Sequence, residues 1–178
     1  MTKPTIETRY PDDSEMAKRF MAPRSVWGEG PWQHEPDRVE WKTKAGLPAL
    51  VRRVPMGMFC GYVAVPPGHP AHGKDTGAID VEAHGGINST GPCDGEVCHV
   101  PEPGEPDDVW WIGFDCGHSY DLAPAMAAVY RRDLPPDLQK NLGSLFGPDV
   151  VYRSVDYVIA ECEQLAAQLA AMATKATP

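Results

Sequence analysis

The chain predicts a single α+β domain, an antiparallel or mixed sheet of about five strands with a long C-terminal amphipathic helix packed on it. Three observations carry that prediction. Short runs of strand period are separated by Gly- and Pro-containing turns, one long stretch near the C-terminus has helical period, and turn formers are abundant, with 19 prolines beside 17 glycines in 178 residues. Proline cannot donate to a ladder and glycine accepts positive φ, so much of the chain must be turns and ordered loops around short elements. At this length folding hides roughly 70% of the surface of the unfolded chain, enough for a core without disulfides. No repeat, low-complexity segment or linker divides the chain, so residues 1–178 are read as one domain.

Residues 1–12 are polar and expected to be flexible, and Ser14 can cap a short helix through Met21 that Pro23 stops. Trp27 to Pro36 mixes turn formers with two tryptophans, as an ordered loop laid over a core does. In Arg38 to Thr43, Val39, Trp41 and Thr43 alternate with charged residues, the period of a half-exposed strand turned by Ala45-Gly46. Leu47 to Val54 and Met58 to Val65 flank Pro55-Met56-Gly57 and form the best hairpin in the chain. Ile79 to His84 alternates again and is expected as a strand. Gly85 to Pro106 is expected to be a long irregular connection. Val109 to Cys116 is the most apolar strand, with Trp111, Gly113 and Asp115 on one face and Trp110, Ile112, Phe114 and Cys116 on the other. Pro124 suits the first turn of a helix to about Arg132, and a further helical turn is expected near Leu138 to Leu142. From Ser154, as N-cap, Val155, Val158, Ile159, Cys162, Leu165, Ala166, Leu169 and Met172 recur at three and four residues, an amphipathic helix within 150–175.

The net charge of −9 argues against a broad electrostatic grip on DNA or RNA, so no nucleic-acid polymer is expected as a partner. No apolar run reaches bilayer-spanning length, and MTKPTIETRYPDDSE lacks the apolar core of a signal peptide, so no membrane partner and a cytoplasmic location are expected. Five scattered cysteines fit reduced thiols better than a disulfide framework.

The densest set of potential ligands follows the most apolar strand, at Asp115, Cys116, His118 and Asp121, with His84 expected across the sheet. Imidazoles and carboxylates together suit a divalent metal such as Zn or Mn, held by His84, Asp115 and His118. The same three also suit metal-free acid–base catalysis, one imidazole acting as base and a carboxylate orienting it. The structural reading, in which the carboxylates cap backbone and the histidines satisfy carbonyls, has about equal weight. Gly85 and Gly86 let backbone N–H groups approach a ligand, or simply turn the chain out of a strand. Trp111 can stack on a ligand or pack in the core, and Asp121 is a further ligand-binding candidate.

Other constellations keep several readings. Cys93, Cys98 and His99, with Cys60 or Cys116 as a further ligand, can hold zinc; Cys93 and Cys98 can instead form a disulfide or remain free thiols, the last being favoured. Cys116 beside His118 is a candidate nucleophile that the strand register demotes. His69 and His72 with Lys74 can close over a substrate, or belong to a rigid exposed loop. Glu102 to Asp108 reads as a solvated acidic loop.

The strings CGYVAVPPGHP (Cys60 to Pro70), AHGG (Ala83 to Gly86), CHVPEPGEPDD (Cys98 to Asp108) and WWIGFDCGH (Trp110 to His118) resemble a family of small uncharacterised proteins encoded by bacteriophages, prophages and actinobacteria. The resemblance spans roughly residues 35 to 170. It departs from the family's pattern at Ile87-Asn88-Ser89 and at Tyr120-Asp121, and it carries no established activity. What it implies is a phage-type protein, located in the host cell cytoplasm if phage-encoded, with counter-defence or host takeover among the expected roles. Two functions are therefore expected. One is a hydrolase or phosphoesterase acting on a nucleotide-like small molecule through His84, Asp115 and His118. The other is a non-catalytic protein that sequesters a nucleotide signal or binds a host protein.

Overall fold

The structure, a computed structural model, describes residues 23–139 and 149–175. The expected flexible segment 1–12, the Ser14 to Met21 helix and the end of the Leu138 to Leu142 turn lie outside the described residues. Five strands form one sheet, β1 (Arg38–Lys42), β2 (Pro48–Arg53), β3 (Phe59–Val65), β4 (Ser89–Gly91) and β5 (Trp110–Asp115), in the order β1-β2-β3-β5-β4. Every neighbouring pair is antiparallel. Among the described residues three α-helices follow, α1 (Pro124–Asp133), α2 (Pro136–Gln139) and α3 (Val155–Lys175).

Both hairpins of β1-β2-β3 turn by the same device. Gly46 N–H bonds Thr43 O at 2.8 Å and Thr43 N–H bonds Leu47 O at 2.9 Å, while Gly57 N–H bonds Val54 O at 2.8 Å and Val54 N–H bonds Met58 O at 2.9 Å. Each three-residue loop ends on a glycine of positive φ, 81° at Gly46 and 92° at Gly57, the bulge that such loops require. The apolar β5 then inserts between β3 and β4, so its backbone is paired on both edges.

The expected strand from Ile79 to His84 is not part of the sheet. Its alternation is real and its backbone is held, but by a side chain: Glu82 N–H bonds Gln168 Oε1 at 2.8 Å, and Gln168 Nε2 returns a bond of 2.8 Å to Glu82 O. The fifth strand is instead Ser89–Gly91, inside the segment expected to be irregular throughout.

Helix α3 packs across β2 and β3. Val158, Cys162, Leu165, Ala166 and Leu169 are fully buried against Val51, Phe59, Val63, Ile112 and Phe114 in the main core. Ser154 caps the helix as expected, its Oγ accepting from Tyr157 N–H at 3.2 Å. The other face of the sheet carries a smaller cluster, Leu50, Ala64, Val97, Val109 and Trp111, beneath the loop closed by a Cys93–Cys98 disulfide. That disulfide corrects the expectation of free thiols, and Cys60, Cys116 and Cys162 are the buried free cysteines. A third cluster seats Trp27 and Trp32 on Ala125 and Ala128 of α1, so the tryptophan loop does cover a core. Among the described residues no helix is long and apolar enough to cross a membrane.

Candidate functional site

Asp121 is the centre of the site. The Cys116 to Asp121 segment leaves β5 and turns back on itself, Asp121 N–H bonding His118 O at 2.9 Å. A parallel bridge to Val151 then fixes Asp121 beside the chain entering α3. Its carboxylate is fully buried and every partner is a donor. Oδ2 lies 2.7 Å from His84 Nε2 and 3.0 Å from His118 Nδ1, and it accepts the His118 backbone N–H at 3.2 Å. Oδ1 accepts Arg153 Nε–H at 2.9 Å. Burial alone pushes the Asp121 carboxyl upward, but hydrogen bonds from Arg153, then His84 and His118, outweigh it and hold the group below its ordinary value.

An ionised carboxylate can only accept, so both imidazole nitrogens facing it carry protons. His84 is then closed on both sides, because its Nδ1 accepts the Tyr157 hydroxyl at 2.9 Å. His118 is not. With Nδ1–H given to Asp121, its Nε2 has no hydrogen-bond partner among the described residues, and 27% of the side chain is exposed. Aromatic neighbours restrict the ring further: Tyr120 stacks on it with centroids 5.3 Å apart and planes 7° apart, and His84 meets it edge-on at 5.2 Å.

Gly85 explains why this stack can form. A Cβ built there would lie 2.0 Å from His118 Cε1 and Nε2, and its φ of 67° disfavours any side chain. The glycine is thus a seat for the imidazole. Gly86, with φ of 91°, faces open space, but its N–H is given to Ala83 O at 2.9 Å, so it closes the turn out of this segment and does not offer that donor to a ligand.

The structure therefore brings His84, His118 and Asp121 together, although His84 arrives from a loop and not from the expected strand. Two expected members stand elsewhere. Asp115 belongs to the other face of β5, where Asn88 Nδ2 and Gly117 N–H occupy its oxygens, the latter at 2.8 Å. Trp111 is buried in the cluster on that same far face and is 2% exposed, so core packing is its role. Asp121 takes the position at the histidines that had been given to Asp115. Cys116 is buried, and burial followed by the nearby Asp121 charge pushes its thiol up, against a nucleophilic role. His69 and His72 serve the fold: His69 Nε2 lies 2.9 Å from Leu169 O, and His72 Nε2 lies 2.9 Å from Asp108 O.

Sequence reasoning missed Arg153 and Tyr157. Arg153 holds Asp121, and its guanidinium lies over the Tyr157 ring, 4.9 Å from the centroid. The available signal was a cation directly before a helix start, where the dipole disfavours positive charge.

The donor set also fits a divalent cation. One ligand atom each from His84, His118 and Asp121 lie within 4.8 Å of one another. Two imidazoles and a carboxylate suit Zn or Mn, and a cation would take the place of the two ring protons facing Asp121. Tyr157 on His84 and Arg153 on Asp121 would be the outer partners such sites use.

Set against known proteins, the chain matches no family profile, no curated protein and no solved structure.

Proposed function

We propose that the protein is a hydrolase of a small phosphoester, nucleotide-like in the reading that the phage-family resemblance favours, acting in the cytoplasm. The observation that supports it is His118, with Nδ1–H held by a buried carboxylate and Nε2 without a hydrogen-bond partner among the described residues, on a side chain that is 27% exposed. This is the geometry of a general base: the carboxylate fixes the tautomer and stabilises the imidazolium that forms. Nε2 takes a proton from water as its oxygen bonds to phosphorus. The bond from phosphorus to the leaving oxygen breaks, and His118 returns the proton to that oxygen. His84 braces Asp121 from the other side and is a positioning residue.

The convergence of three ligand atoms supports a second form of the same reading, in which His84, His118 and Asp121 would hold a Zn or Mn ion whose chemistry would be to lower the pKa of a bound water. The two forms separate on metal analysis of the purified protein and on the effect of chelator on turnover. His118→Ala is expected to fold normally by circular dichroism and to lose roughly 10²–10⁴ of its turnover of aryl phosphate mono- and diesters. A folded His118→Ala with unchanged turnover overturns the reading. Mass spectrometry of small molecules released on denaturation tests the non-catalytic alternative: a nucleotide returned unaltered, with no turnover by the wild type, identifies sequestration.

A further inference from the structure

The substrate's anchor can be read from the one cation of the site. Arg153 donates through Nε alone, at 2.9 Å to Asp121 Oδ1, and its Nη1 and Nη2 have no partner among the described residues. The group is not free to swing, since the carboxylate holds its Nε edge and the Tyr157 ring lies against its face. What remains is a fixed pair of parallel N–H donors on a side chain that is 23% exposed.

Position gives those donors a use. Arg153 and His118 bond to opposite oxygens of the one buried Asp121 carboxylate, so the guanidinium fork and the imidazole belong to the same hydrogen-bonded cluster. An oxyanion held by the fork would join the cluster that holds His118. Planar guanidinium suits such an anion because it binds two oxygens at once, which a lysine cannot do. A chain of net charge −9 repels anions at long range, so a local fork is the means by which this site would select one. The bland role, an ion pair that only steadies Asp121, is met by Nε; it leaves the exposed fork without a purpose.

We propose that Arg153 is the anion anchor of the site and that the anion is a phosphoryl group, the charged moiety that the hydrolase reading requires. This rests on the hydrolase reading for its purpose but not for its test. Inorganic phosphate is titrated into the full chain at physiological salt while the imidazole NMR signals of His118 are followed, with acetate as a second arm. The wild type is expected to show a saturable shift with phosphate and a much weaker one with acetate. Arg153→Gln, and Arg153→Lys should the first fail to fold, are expected to weaken phosphate binding about tenfold or more, as loss of a charge-assisted bidentate pair does. No phosphate response in the folded wild type, undiminished binding in the folded variant, or an equal response to acetate overturns the anchor. If the variant binds phosphate normally while His118→Ala abolishes turnover, the anchor fails and the hydrolase stands. If phosphate binds through Arg153 but no phosphoester is turned over, the hydrolase fails and the anchor stands.

Discussion

Two carboxylate clusters flank the start of α3, one with Arg53, Arg24 and Tyr152 and the other with Arg153 and Tyr157, and they differ in what their central arginines leave unused. In the first, Arg53 is wholly buried and each nitrogen is committed: Nε to Asp37 at 2.8 Å, Nη1 to Gly57 O at 2.8 Å and Tyr152 Oη at 2.7 Å, and Nη2 to Glu35 at 3.0 Å. Glu35 closes the circuit by accepting the Tyr152 hydroxyl and, at 3.1 Å, Val155 N–H of α3. Arg53 also lies 4.0 Å from the Phe59 ring centroid. That cluster ties the β2-β3 hairpin, the tryptophan loop and α3 together, and Arg53 has nothing left to offer a ligand. In the second, built on Asp121, both His118 Nε2 and the Arg153 fork lack partners among the described residues. Ionisable residues of the same types make a staple in one place and a candidate site in the other. The difference lies in the open valences, not in the composition.

Breaking the closed cluster should have the largest effect on stability. Arg53→Met leaves Asp37 to Arg24 alone and Glu35 to Tyr152 and Val155 N–H, and is expected to cost about 3–5 kcal/mol in urea unfolding. Asp121→Asn comes next, at about 2–3 kcal/mol, because it weakens charge-assisted bonds from two histidines and an arginine. The pH dependence sharpens this. The folded Asp121 carboxyl lies below its unfolded value of 3.8, so its stabilisation is complete above that pH and is lost as pH falls through the folded value. The stability gap between wild type and Asp121→Asn should therefore narrow in that acid range; a constant gap would contradict the ionised assignment. Smallest in stability is Gly85→Ala, at about 1–2 kcal/mol for a side chain in left-handed backbone. Its effect should fall on function, because the new Cβ displaces His118, and turnover is expected to drop by up to about a hundredfold. Unfolding and turnover measured side by side would show whether the two clusters separate as described.

Much of the fold was legible because four strands and α3 declare themselves locally, by period 2, by apolar runs flanking a turn, or by the Ser154 cap and the 3.6-residue stripe. Ile79 to His84 misled because alternation reports an extended backbone with unlike faces, and does not say whether a strand or Gln168 satisfies it. For the site, His84, His118 and Asp121 were legible as ionisable residues at loop ends beside glycines. Asp115 was over-read: its own register already placed it with Trp111, away from the face that α3 covers. Arg53 was hidden inside an apolar run, where a pattern of faces cannot show that a charge is being matched from loops 16 and 99 residues away in the chain.

The order of the sheet bears on how the protein is made. β3 pairs with β5 through Cys60↔Asp115, and His84 lies in the chain between those partners while His118 and Asp121 lie beyond it. A ribosome that has delivered β1, β2 and β3 has delivered a hairpin unit capable of early local pairing, but none of the histidine pair can meet until β5 closes that long loop. Such nonlocal closures are slow steps in folding. Recovery of the His118 environment during refolding should thus lag behind formation of the hairpins, making the site a readout of the last stage of assembly.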